Sequence, residues 1–193
     1  MTPNPDPTRM SPEEFLEFER AADEKHEYRD GLIVAMSGAR RNHNLIALNV
    51  GSGLHGALKN KDCETYMSEM RVFVPSVRLY TYPDIVVVCG EPKFVDDEFD
   101  TLTNPLLLIE ILSESTENYD RGQKFKFYRS IESLREYVLI SQKSPAIEKY
   151  VKHGDGFWML SEASGLDSRI TLEAIDCHLS LADVYDKVNF DAE

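Results

Sequence analysis

The spacing of apolar residues changes period repeatedly along this chain, and each change predicts an element. Ser11-Pro12-Glu13-Glu14 opens a helix: the serine can cap, the proline suits the first helical position, and Glu14 can close a capping box. Phe15, Leu16 and Phe18 give it an apolar face, and it is expected to end near Ala22. His26 to Val34 reads as strand, Asp30-Gly31 turn, strand, with Ala35-Met36-Ser37 continuing the second strand. From His43 to Leu58 the period is helical, with Ile46, Val50, Leu54 and Ala57 on one face and Leu58 beside them. Gly51 and Gly53 inside that stretch each cost roughly 1 kcal/mol against alanine, a cost consistent with close packing on a sheet.

Glu64 to Met67 and Arg71 to Val74 have strand character, and Pro75 to Tyr80 reads as a loop or hairpin connection. Two largely apolar runs follow. Tyr82 to Cys89 contains four consecutive β-branched residues, Ile85 to Val88, and Leu106 to Leu112 is interrupted only by Glu110. Apolar on both faces, they belong in the centre of a sheet. Between them, residues 90–103 form an acidic loop read as a solvated connection, because its acids lack calcium-loop spacing. Tyr119 to Ile131 is expected to be helical, Glu136 to Ile140 a third central strand, Ile147 to Val151 and Phe157 to Leu160 a hairpin, and Arg169 to Leu172 a short strand. Leu181, Val184, Tyr185 and Val188 predict a closing helix from Leu179 to Val188.

The chain of 193 residues is long enough for one domain with a real core, taken as residues 11–193, behind a proline-rich lead-in, residues 1–10, read as disordered. No apolar run approaches the ~20 residues of a membrane helix. Cys63, Cys89 and Cys177 are odd in number and widely spread, which points to neither a disulfide framework nor a zinc cluster and suggests a reducing cytoplasm. A net charge of -13 repels polyanions unless basic residues converge on one face. Arg40, Arg41 and Arg121 are the candidates for such convergence, against the plainer reading of solvated surface charges.

Chemistry is carried by acids in apolar surroundings. Asp84 stands at a strand start after Pro83, where an aspartate can also serve simply as a turn residue. Glu110 is harder to accommodate, since a buried carboxylate costs several kcal/mol unless it is paired or binds a metal; a bridge to an internal arginine such as Arg71 is the structural alternative. Two carboxylates on neighbouring strands, with the backbone carbonyl of Ile111, make an oxygen-rich site of the kind magnesium prefers. Lys124 shares a helix face with Asp120 and Tyr128 and can bring an ammonium to that site, or merely pair with Asp120 on the surface. No His-Glu-x-x-His or Gly-x-Ser-x-Gly pattern offers a rival chemistry; for His43 at a helix start a place near the site is one reading, and a cap or surface residue is the plainer one.

Pro83-Asp84, Glu110-Ile111-Leu112, Asp120-Arg121-Gly122-Gln123-Lys124 and Tyr128, in this order, resemble the PD-(D/E)xK nuclease superfamily, and more closely its Uma-two branch of restriction-endonuclease-like proteins. The segment His26 to Gly31 and the strand Glu136 to Ile140 extend the resemblance to most of the chain. It implies an α/β fold of the α+β mixed-sheet kind: a restriction-endonuclease-like core, with a central mixed β-sheet flanked by helices, often in a homodimer. It implies a Mg2+ or Mn2+ cofactor, Asp84 and Glu110 as metal ligands, Glu27 as an upstream acid completing the site, and Lys124 as a catalytic lysine displaced onto the following helix. The expected activity is metal-dependent cleavage of DNA phosphodiester bonds, with RNA or a structured DNA intermediate as alternative substrates. The departure is Leu112, where the superfamily pattern has its lysine. A non-catalytic interaction module that keeps the fold is the rival reading, and a magnesium or manganese titration separates the two.

Overall fold

The computed structural model of the chain describes residues 9–190. The lead-in therefore lies outside the described residues except for Arg9, whose guanidinium donates to the Asp30 carbonyl, and Met10, whose carbonyl accepts from the Tyr28 hydroxyl.

Helix α1 (Pro12–Ala21) begins as its sequence dictates, with Ser11 Oγ accepting from Glu14 N–H and the Glu14 carboxylate accepting from Ser11 N–H. Strands β1 (His26–Arg29) and β2 (Leu32–Ala35) follow, joined by Asp30 and Gly31, both at positive φ as a tight hairpin turn requires. Next come α2 (Arg41–Leu58), β3 (Cys63–Met67), β4 (Arg71–Val74), β5 (Leu79–Thr81), β6 (Ile85–Cys89), the short β7 (Thr101–Leu102) and β8 (Leu107–Leu112). A broken helix comprises α3 (Glu117–Tyr119), a π turn (Asp120–Lys124) and α4 (Phe125–Tyr128). Strands β9 (Glu136–Ser141), β10 (Ala146–Lys152), β11 (Trp158–Ser164), β12 (Arg169–Leu172) and β13 (Cys177–Ser180) lead to α5 (Leu181–Val184).

Two sheets organise the molecule. The central one has the order β11-β10-β9-β8-β6-β3, with β8 and β9 parallel and the other pairs antiparallel. The second has the order β2-β1-β5-β4-β7. One face of the central sheet packs Ile85, Val87, Ile109 and Val138 against α2 and the β12–β13 hairpin. The other packs Val86, Val88, Leu108 and Tyr137 against the second sheet and the broken helix. Helix α1 covers the outer side of the second sheet through Phe15, Tyr28 and Tyr80. Gly51 lets α2 approach β3: a Cβ there would come within 2.6 Å of the Met67 sulfur.

Several expectations are corrected. Pro75 to Tyr80, read as a loop or hairpin connection, ends in strand β5, which pairs with β4. Ala57 is exposed, and Leu58 takes the last buried position of α2. The predicted closing helix is strand β13 followed by a single turn, because Leu179 pairs with Ile170 across the hairpin. The acidic loop is tied down rather than merely solvated: Arg20 bridges Asp96 and Asp100, each at 2.8 Å. The cysteines are not all free. Cys63 and Cys89 face each other across β3 and β6 with their Cα atoms 3.9 Å apart and form a disulfide, leaving Cys177 buried and unpaired. Their 26-residue separation hid a cross-strand register, and the cysteine pattern no longer argues for a reducing compartment. No helix among the described residues is long and apolar enough to cross a membrane.

Candidate functional site

The antiparallel register of β6 and β8 pairs Ile85 with Ile109 and, one step further, sets Asp84 beside Glu110. Alternation along both strands turns these acids toward the second sheet. From that sheet, β1 presents Glu27, whose carboxylate accepts from the Thr81 hydroxyl on β5. The third contribution is the broken helix. Steps of four residues overshoot an α turn and fall short of a π turn, so one of each keeps Asp120, Lys124 and Tyr128 on the inward side, and all three are buried.

Lys124 Nζ lies 2.9 Å from Glu110, 3.3 Å from Glu27 and 3.7 Å from Asp120. Three elements distant in sequence thus meet at one ammonium. The reading of Lys124 as a surface partner of Asp120 does not hold, and neither does a bridge from Glu110 to Arg71, which bonds Asp100, Thr101 and Tyr82 instead. The Tyr128 hydroxyl donates to Glu110 at 2.8 Å, and the Tyr137 hydroxyl donates to the Asp120 carbonyl at 3.1 Å. Asp84 accepts from the backbone N–H of Ile111 at 2.7 Å.

Negative charge is in surplus. Burial pushes the Glu110 carboxyl up to about 8; Lys124 opposes the shift, while Asp120 and Asp84 add to it. Burial likewise raises Asp120. Lys124 is held well above its ordinary value: burial works against the charge, and Glu110, Glu27 and Asp120 outweigh it. One ammonium faces Glu27, Glu110 and Asp120, with Asp84 beside Glu110, and the raised Glu110 and Asp120 carboxyls relieve part of that surplus by holding protons. Among the described residues no three acidic, histidine or cysteine side chains already form an ion cage. The residues that could supply oxygen ligands are Asp84, Glu110 and the backbone carbonyl of Ile111, donors of the kind hard ions take.

A cleft of about 560 Å³ opens beside this cluster, lined by Arg40, His43, Ser113, Gln142 and Lys143 among others. His43 is the residue that sequence reasoning weighted too lightly: its Nε2 is 3.1 Å from Asp84 Oδ1. Its place in the first turn of a helix was legible, but the carboxylate it meets is fixed only by the fold. The three arginines do not converge. Arg40 is exposed on the cleft, Arg41 donates to the Lys187 carbonyl, and Arg121 is paired with Glu117 and Glu148.

Known proteins were compared with this architecture. A crystal structure of a "putative nuclease belonging to DUF820" from Anabaena variabilis superimposes with a TM-score of 0.74, covering 93% of this chain and 99% of its own, at 18% identity. The fold is therefore the same mixed α/β fold as in that protein. Two uncharacterized proteins of Synechocystis sp. are closer in sequence. One, sll1609, is 40% identical over 157 residues, 81% of this chain and 89% of its own length. The other, slr1290, is 36% identical over 177 residues, 92% of each. Residues 12–182 match the family described as "Uma2: Putative restriction endonuclease", and the chain belongs to that family.

Proposed function

We propose that this chain is a metal-dependent endonuclease that hydrolyses phosphodiester bonds in DNA. The observation that carries the reading is the Lys124 ammonium, 2.9 Å from Glu110 and 3.3 Å from Glu27. Leu112, packed into the apolar cluster, supplies no charge of its own.

Asp84, Glu110 and the carbonyl of Ile111 are the groups that would hold Mg2+ or Mn2+. Such an ion supplies Lewis-acid polarisation of a phosphoryl oxygen and a more acidic bound water. The chain's own contributions are positional and electrostatic. Ile111 N–H and Tyr128 O–H fix the two acids by hydrogen bonds. Glu27, held by Thr81, adds negative charge that keeps Lys124 protonated. Lys124 then offers a permanent positive charge to a phosphoryl group entering from the cleft, where charge that develops during displacement is stabilised. Asp120 and Tyr128 are buried beside Lys124 and Glu110 and do not line the cleft.

The test is nicking of supercoiled plasmid with Mg2+, Mn2+ or EDTA, with RNA in parallel. Cleavage should need the ion, should disappear in Asp84→Asn and Glu110→Gln, and should fall by roughly a hundredfold or more in Lys124→Met, as for loss of one transition-state charge partner. Absence of both cleavage and ion binding in the parent would sink the nuclease reading and leave an interaction module.

A further inference from the structure

We propose that His43 is a positioning residue of the site, whose imidazole N–H orients the Asp84 carboxylate toward an incoming divalent ion. This inference rests on the nuclease reading and concerns the same site. Asp84 is bracketed at both oxygens: Oδ2 accepts from the Ile111 backbone N–H at 2.7 Å, and Oδ1 lies 3.1 Å from His43 Nε2. One oxygen is held by a hydrogen bond from strand β8 and the other faces an imidazole nitrogen from helix α2, so rotation about the terminal bond gives up one of these two contacts. Each oxygen keeps a lone pair in a set plane for a further partner.

The support under His43 is unusually firm for a helix start. Asn42 is buried, and its amide donates to the Asn189 carbonyl at 2.8 Å. The Arg41 guanidinium donates to the Lys187 carbonyl at 3.1 Å, and the Asn44 amide donates to the carbonyls of Ala39 and Arg40 at 3.1 and 2.7 Å. Three neighbours thus anchor the first turn of α2 to the C-terminal segment and to the chain before the helix. His43 itself turns the other way, toward Asp84 and the cleft. A ligand carboxylate is held to productive geometry when the residue touching it is itself locked. The side chains of His43 and Asp84 are 17% and 16% exposed; His43 lines the cleft, and Asp84 stands against it, largely shielded from bulk water.

The experiment is calorimetric titration of Mn2+ into the parent, His43→Ala and His43→Gln, with melting curves of each ion-free protein. Glutamine can place an amide N–H near the position of Nε2. Alanine should weaken Mn2+ binding about ten- to a hundredfold, as loss of an outer partner of a ligand does. Glutamine should recover most of that loss, and ion-free melting should track neither change. Equal Mn2+ affinity in the parent and His43→Ala would overturn the assignment while leaving the nuclease reading in place. Failure of His43→Gln to recover binding that His43→Ala has lost would also overturn it, because the imidazole would then act other than as a donor. A parent that binds no Mn2+ would remove the nuclease reading and this inference with it.

Discussion

The central sheet buries a lysine among carboxylates on each of its two faces. On one face Lys124 meets Glu110, Glu27 and Asp120. On the other, Lys149 of β10 meets Glu136 of β9 and Glu173. The second cluster leans on backbone groups. Lys149 Nζ donates to the Thr171 carbonyl at 2.6 Å and to Glu173, and Glu136 accepts from the Ala174 backbone N–H at 3.0 Å. Every named bond draws the turn after β12 onto the sheet. In the first cluster the lysine's partners are all side chains, three acids against the second cluster's two, and a cleft lined by His43, the neighbour of Asp84, opens alongside. A buried ion pair is therefore no sign of function by itself. Surplus charge next to open space distinguishes the site, whereas backbone partners mark the clamp.

The largest effects should come from removing each lysine. Breaking a buried pair by deleting one partner costs about 3–5 kcal/mol, so Lys124→Met and Lys149→Met should both melt well below the parent when ion-free. Added Mn2+ should then separate them. In Lys124→Met the stranded carboxylates can be neutralised by the ion, and melting should climb back toward the parent. In Lys149→Met the ion should give no more stabilisation than it gives the parent. Equal rescue of both variants, or of neither, would erase the distinction between site and clamp.

A smaller effect concerns Glu136. Burial raises its carboxyl to about 7, against the pull of the Ala174 N–H and Lys149, from an ordinary value of 4.5. The folded state therefore holds this proton where the unfolded chain has released it. The associated stability is complete below about 4.5 and is lost as pH rises through about 7. Glu136→Gln keeps a neutral side chain at every pH and should flatten that decline, by on the order of 3 kcal/mol across the window, given ~1.4 kcal/mol per pKa unit. Urea midpoints of the parent and Glu136→Gln from pH 4 to pH 8 give the comparison. Parallel profiles would mean that the clamp carries a fixed charge. Taking the difference cancels the titration of Glu110, which both proteins share.

Much of the site was legible because its signals are local. Glu110 breaks an apolar run, Asp84 follows a proline at a strand start, and Lys124 repeats at helical spacing with Asp120 and Tyr128. The same local signals failed where pairing is remote. Glu136 looks like the ordinary polar start of a strand, and only the fold brings Lys149 and the Ala174 N–H to it. Leu179 to Val188 has helical spacing, yet Leu179 is claimed by Ile170 across a hairpin. The π turn leaves no periodic trace, since it lies between stretches that are helical either side. His43 was visible as a residue but not as a neighbour of Asp84, because α2 and β6 meet only in the tertiary structure.

The smallest effect tests whether the open side of the first cluster faces the polyanion. With a net charge of -13, duplex binding must rely on local positive charge, and the three candidate arginines differ in what already holds them. Arg121 is bridged to Glu117 at 3.0 Å and to Glu148, which leaves it little net charge to offer. Arg41 anchors the Lys187 carbonyl, so its removal should act on the first turn of α2 before it acts on DNA. Arg40 is exposed on the cleft wall, near Lys143 and on the same helix start as His43. Arg40→Ala should therefore weaken binding to duplexes of any sequence and lower the salt slope by about one, the value of a single phosphate contact. Arg121→Ala should leave the slope unchanged. Fluorescence anisotropy at several salt concentrations, in Ca2+ if that ion supports binding without cleavage, measures both. A loss of slope in Arg121→Ala with none in Arg40→Ala would move the path of the nucleic acid away from the cleft and uncouple it from the acid-rich face of the sheet.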